Sequence, residues 1–161
     1  MFSSSCGSES DARASYSVFF DAVRNGGDRH YDAAQRHAWV PSAEMPDWWS
    51  PHLASARTWV TEQDGTLTGL ISLRSDGYLD LFYVVASARG DGTAVTLYET
   101  LLREAEHQGA QRLTTHASDY LKPFLEKRGW IVVAEDIVER GGVRLRRWEM
   151  VLDQAAESQR L

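Results

Sequence analysis

A chain of 161 residues with 43% hydrophobic content suits one domain with a real core, and its formal net charge of −6 argues against nucleic acid or an anionic membrane as a broad partner, since neither would attract it. No apolar run reaches the length of a membrane span, and residues 1–11 lack the basic start and apolar core of a signal peptide. The lone cysteine, Cys6, has no partner for an internal disulfide; it fits a reducing cytoplasm and, in a polar stretch with no evident base, reads as a spare thiol.

Residues 1–10 are expected to be a flexible tail or a poor first strand, residues 11–152 a single domain, and residues 153–161 a polar tail. Asp11 is placed to cap a helix over 12–25, with Tyr16, Phe19, Phe20 and Val23 on one face and Gly26-Gly27 as its stop. A second short helix covers 31–39 and stops at Pro41. Residues 41–56 hold Pro41, Pro46 and Pro51 with Trp48-Trp49, which predicts a loop or broken helix rich in aromatics. From Thr58 the apolar period becomes two. Strands over 58–63 and 66–74 flank Asp64-Gly65, the signature of a primed hairpin turn. A third strand covers 78–86. The helix after Gly92 carries Ala94, Val95, Leu97, Leu101, Leu102 and Ala105 on one broad face and ends at Gly109. A strand over 112–117 completes a βαβ unit. A further helix runs from Ser118 or Asp119 to Gly129, and strands over 130–139 and 144–152 close the chain as a hairpin. The order predicts an α+β fold with a mixed, mostly antiparallel central sheet flanked by helices, since a Rossmann domain would alternate strand and helix from its start.

The stretch Val84-Val85-Ala86-Ser87-Ala88-Arg89-Gly90-Asp91-Gly92-Thr93-Ala94 joins a strand to a long helix. A small-residue turn at a helix N-terminus exposes a row of backbone N–H groups at the positive end of the helix dipole, which suits an anion such as a diphosphate. Gly90 and Gly92 allow close approach to the main chain. The third glycine and downstream acid of a dinucleotide fingerprint are absent, as is the Gly-Lys-Ser/Thr end of a P-loop, so a dehydrogenase or NTPase fits poorly. The five histidines show no metal-ligand spacing, and no metal is expected.

Arg89-Gly90-Asp91-Gly92-Thr93-Ala94 resembles the Arg/Gln-x-x-Gly-x-Gly/Ala signature of the GNAT superfamily of acyl-CoA-dependent N-acetyltransferases. The likeness extends upstream to Leu81-Phe82-Tyr83-Val84-Val85, similar to that family's fourth strand. Downstream it takes in residues 117–130, where Ala-Ser, Pro-Phe and Gly-Trp are similar to a YafP-like bacterial subgroup, as are Ala22-Val23, Tyr31 and Ala38-Trp39. In all it covers residues 16–151.

The resemblance implies that the fourth and fifth strands splay, that main-chain groups of Val84, Val85 and Ala86 hold the pantetheine arm of acetyl-CoA, and that the amides of Arg89, Gly90, Asp91, Gly92, Thr93 and Ala94 hold its diphosphate, with the Arg89 side chain adding a cation. It implies direct attack of an amine on the thioester, the carbonyl being polarised by a backbone N–H near Val84. Asp80, four residues before Val84 on the apolar strand, is either the general base, an exposed or salt-bridged carboxylate on a strand face, or one that orients a neighbouring loop; apolar surroundings favour a carboxyl's protonated form and so suit proton transfer near neutral pH. Glu44 and Asp47 are further carboxylates placed to meet a cationic amine. Many family members carry a tyrosine as general acid where this chain has Leu125. Ser118 stands at the family's helix-opening asparagine, and Tyr120 or Tyr83 is the substitute proton donor. His37, Trp39 and Trp48 are expected at the acceptor, with packing the alternative for the tryptophans. The acceptor is a small-molecule or protein amine, and an exposed sheet edge allows a homodimer. A CoA-binding sensor without turnover is the alternative, as is an interaction module with a vestigial cleft.

Overall fold

The computed structural model describes residues 2–3, 9–26 and 30–154. Cys6 and residues 155–161 lie outside them. The elements are β1 (Phe2–Ser3), α1 (Glu9–Gly26), α2 (Ala33–Trp39), α3 (Trp49–Ala54), β2 (Arg57–Gln63), β3 (Thr66–Leu73), β4 (Tyr78–Val84), a 3₁₀ turn (Ala86–Ala88), α4 (Thr93–His107), β5 (Arg112–Ala117), α5 (Lys122–Glu126), β6 (Ile131–Arg140) and β7 (Val143–Asp153). The sheet order is β1-β2-β3-β4-β5-β7-β6, and every neighbouring pair is antiparallel except β4–β5. This is the mixed, mostly antiparallel sheet expected from the chain order.

Three local differences have physical causes. Helix α1 begins at Glu9, so Asp11 lies inside its first turn, where a carboxylate still meets the positive end of the dipole. Helix α2 starts later than 31 because Asp32 accepts the Gln35 N–H at 2.8 Å while the Gln35 side chain accepts the Asp32 N–H, a reciprocal capping box. The helix expected over 118–129 contracts to α5. Ser118 Oγ accepts the Leu121 N–H at 3.1 Å in a turn, and Pro123 is tolerated only in a helix's first turn.

The sheet is covered on both faces. One core gathers α4 and α5, with Leu97, Leu101 and Leu125 against Ile71, Leu79 and Leu113. The other gathers α1 and α3, with Tyr16, Phe19 and Trp49 against Leu70 and Leu81. Burial of β3 on both faces accommodates the adjacent apolar residues Leu70 and Ile71, with Ser72 buried beside Leu73. Helix α4 sits close over β3 at Gly69, where an added Cβ would come within 2.8 Å of Leu97 Cδ1 and 2.9 Å of Thr61 Oγ1. That close approach fixes where the N-terminus of α4 stands relative to β4.

Candidate active site

Strands β4 and β5 pair only at Tyr78↔Thr114 and Leu79↔Thr115, and beyond them no ladder joins the two. Val85 donates its N–H to Thr68 O across β3 at 2.9 Å. Backbone groups alternate along a strand, so the N–H of Val84 points the other way, toward the opening. A cavity of about 620 Å³ fills that opening. Its walls are Phe82, Tyr83 and Val84 of β4, the start of α4, the first turns around α5, Ala22 and Val23 of α1, and Tyr31 with Trp39 from the α2 region.

The outer end is built from main chain. Gly90 and Gly92 have φ of +85° and +92°, and a Cβ at either would meet nothing within 4 Å. Their choice therefore reflects backbone conformation and the open approach it leaves, not crowding. Among the described residues, no hydrogen bond within the protein uses the N–H of Gly90, Gly92, Ala94 or Val95, and all four line the cavity. Thr93 is different. Asp91 Oδ1 accepts both its N–H at 3.0 Å and its hydroxyl at 2.6 Å. The Thr93 hydroxyl, then its amide, holds the exposed Asp91 carboxyl below its usual range. Lys127 and Arg128 also line the cavity and add positive charge; Arg128 stacks on the Phe124 ring at 3.6 Å.

Several residues implied to touch a coenzyme are already engaged elsewhere. The Val85 N–H is in the β3 ladder, and the Ala86 N–H goes to Asp21 Oδ2 at 2.8 Å. Val85, Ala86, Asp91 and Thr93 are not on the cavity wall, whereas Val84, Arg89, Gly90, Gly92 and Ala94 are. The Arg89 guanidinium turns toward α1, donating to Ala22 O at 3.0 Å and to Gly26 O, with its carbon 4.2 Å from the centre of the Tyr120 ring.

The inner end is built from side chains. Tyr31 stands edge-on to Trp39 at 5.3 Å; its hydroxyl accepts the Asp119 N–H at 2.7 Å and donates to Arg146 O at 3.1 Å. Burial pushes the Tyr31 phenol up to about 12. Tyr83 lies deep in the molecule but opens onto the cavity; burial raises its phenol, and the Asp80 charge raises it further. Tyr120 and Ser118 also line the wall. The Ser118 hydroxyl accepts from Leu121, which leaves its own hydrogen available to donate. Leu125 is fully buried in the α4 core and offers no group to the cavity.

Asp80 does not reach the wall. Arg74 Nη2 is 3.4 Å from its Oδ1, and His52 Nε2 is 2.7 Å from its Oδ2, although off hydrogen-bond alignment. Helix α3 supplies His52, and the β3–β4 turn supplies Arg74. His37 bonds Arg24 Nη2 through Nδ1 at 3.0 Å outside the cavity. Trp48 is 52% exposed and packs on Trp49 and His52. Of the three residues expected at the acceptor, only Trp39 lines the cavity. Trp49 is structural, its indole N–H shared between Ala12 O and Ser15 Oγ. Phe82 and Phe124 stand within motifs that the sequence analysis quotes but were given no role there, and nothing local marked Arg128.

A family profile described as an acetyltransferase (GNAT) domain matches residues 29–152. The chain is 30% identical over 125 residues to an uncharacterized N-acetyltransferase, YafP, from Escherichia coli (strain K12), covering 78% of each. A GCN5-related N-acetyltransferase from Rhodopseudomonas palustris superposes with a TM-score of 0.87 at 24% identity, covering 95% of this chain and 94% of its own. The PaiA N-acetyltransferase from Thermoplasma acidophilum, solved in complex with coenzyme A, superposes at 0.71 with 14% identity, covering 95% and 99%. On the profile match and the curated relative, the chain belongs to the GNAT family of acetyltransferases.

Proposed function

We propose that the protein transfers the acetyl group of acetyl-CoA to an amine by direct attack. The observation that carries this reading is the opening between β4 and β5, which ends on four unengaged backbone N–H groups at a helix N-terminus. The diphosphate of the coenzyme is assigned to Gly90, Gly92, Ala94 and Val95, with Lys127 and Arg128 as nearby cations. Its pantetheine arm lies along Phe82 and Val84. The Val84 N–H polarises the thioester carbonyl. The amine nitrogen then bonds the carbonyl carbon, the C–S bond breaks, and the thiolate leaves with the electron pair and takes up a proton. Tyr120 and Ser118 are the hydroxyls assigned to that proton, with Tyr83 held strongly protonated beside them. Asp80 takes no direct part in this reading; the amine attacks in its neutral form, and the proton its nitrogen sheds on becoming an amide passes to water. The chain has a single cysteine and no helix among the described residues long and apolar enough to cross a membrane, which supports a cytoplasmic setting.

Leu125 favours one other reading, a sensor that holds acyl-CoA without turnover, because no hydroxyl stands at that buried position. Two measurements separate them. Calorimetric titration with coenzyme A is expected to give saturable binding, and thiol release from acetyl-CoA across an amine panel is expected to exceed the rate without amine. Binding with no release across the panel supports the sensor. Absence of binding removes both.

A further inference from the structure

Helix α1 and the β4–α4 loop are joined by two links running in opposite directions. From α1 to the loop, Asp21 Oδ2 accepts the Ala86 N–H at 2.8 Å, while Oδ1 is steadied by Asn25 Nδ2 at 2.8 Å. From the loop to α1, Arg89 donates to the carbonyls of Ala22, at 3.0 Å, and Gly26. Gly26 O is among the last carbonyls of α1, which lack helical partners, and Ala22 O stands one turn earlier; both lie toward the negative end of the dipole, so a guanidinium fork is well matched to them. A side chain at position 26 would collide with the Arg89 guanidinium, so Gly26 makes room for the link. Tyr120 covers the guanidinium face and brings the α5 side into the same contact.

The links join the glycine turn to a helix that also forms part of the cavity wall. Arg89, Gly90 and Gly92 line the cavity from the turn, and Ala22 and Val23 line it from α1. We propose that Asp21 and Arg89 are positioning residues that couple occupancy of the glycine turn to the placement of α1, and that the Arg89 side chain acts through α1 rather than as a phosphate ligand. This rests on the coenzyme reading above. An anion drawn onto the loop amides fixes the turn, and the two links pass that order to the last turns of α1. Loss of Asp21 leaves the Ala86 N–H without its acceptor and loosens the turn that sets Gly90 and Gly92.

The test uses the full chain and coenzyme A as probe. Binding is followed by calorimetry, and amide hydrogen exchange is followed across residues 19–26. In the wild type, saturating coenzyme A is expected to slow exchange in that segment. Asp21→Ala is expected to weaken binding about tenfold, the loss of one net hydrogen bond, with Asp21→Asn restoring most of it because its amide oxygen still accepts. Arg89→Lys keeps the charge but not the fork, and is expected to bind coenzyme A without slowing exchange in α1. Wild-type affinity in Asp21→Ala, or full protection of α1 in Arg89→Lys, overturns the proposal. If Asp21→Ala does not fold, the Arg89→Lys comparison decides alone. Failure of the wild type to bind coenzyme A removes the coenzyme reading itself. Normal wild-type binding with unaffected variants removes only the coupling.

Discussion

The two ends of the cavity are made in different ways. The outer end is a backbone device: positive φ at Gly90 and Gly92, a helix start, and free N–H groups within a few consecutive residues. The inner end is a side-chain device, with Tyr31, Trp39 and Tyr83 brought from separate segments and fixed by contacts made only after folding. A backbone site tolerates change in most side chains but not in its torsions. A side-chain site depends on each member and on what holds that member in place.

The largest expected effect sharpens the first half of this contrast. Gly92→Asp places a non-glycine residue at φ +92° and a negative charge beside the assigned diphosphate. Left-handed strain and charge repulsion together should weaken coenzyme A binding by about two orders of magnitude, read by calorimetry on folded protein. Unchanged affinity would move the diphosphate away from this turn.

Next comes Tyr31→Phe at the inner end. It removes a hydroxyl that satisfies both the Asp119 N–H and Arg146 O, so a loss of about 1–3 kcal/mol in unfolding free energy is expected in urea titration. Because burial pushes the folded phenol up to about 12 from its usual 10.0, its contribution is fully present below pH 10 and is lost as pH rises from there through 12. The variant should show a shallower decline of stability in that window. An identical alkaline decline would show that Tyr31 is not the group responsible.

A paired comparison follows. Trp39→Ala opens the inner wall, and should raise KM for any amine accepted from the panel by about tenfold, on the order of a lost aromatic contact. Trp48→Ala, exposed and outside the cavity, should leave that KM within about twofold. Equal effects would erase the distinction between the two tryptophans.

The smallest effect is expected from Asp80→Asn. With Asp80 held by Arg74 and His52 behind the wall, kcat should stay within about threefold of wild type. A hundredfold fall accompanied by loss of the acidic limb of the pH–rate profile would make Asp80 the base after all.

Much of the architecture was legible in the sequence for local reasons. The Asp64-Gly65 turn takes φ of +53° and +81°, as a primed hairpin turn requires. The spacing of Leu97, Leu101 and Ala105 marks the buried stripe of α4; β2 and β3 stand where strands were expected, although burial along them is continuous and does not alternate. The short α5 was harder to foresee, because Ser118 and Pro123 compete with a helical pattern that otherwise runs on. In the site, the glycine turn was visible as a motif. The partners of its side chain were not: Arg89 reads as a free cation beside a phosphate turn until α1 arrives 63 residues away in sequence to receive it.

What the chain determined by itself is the set of conformations that depend on neighbours in sequence: helix starts and stops, hairpin turns, and a left-handed glycine turn ahead of a helix. Tertiary structure alone decided which groups remain available for chemistry. Whether the Ala86 amide, the Arg89 guanidinium or the Asp80 carboxylate is free or engaged depends on α1, β3 and α3 meeting them in space, and a polar group's remaining hydrogen-bonding capacity is set by what it touches, not by where it stands in the chain.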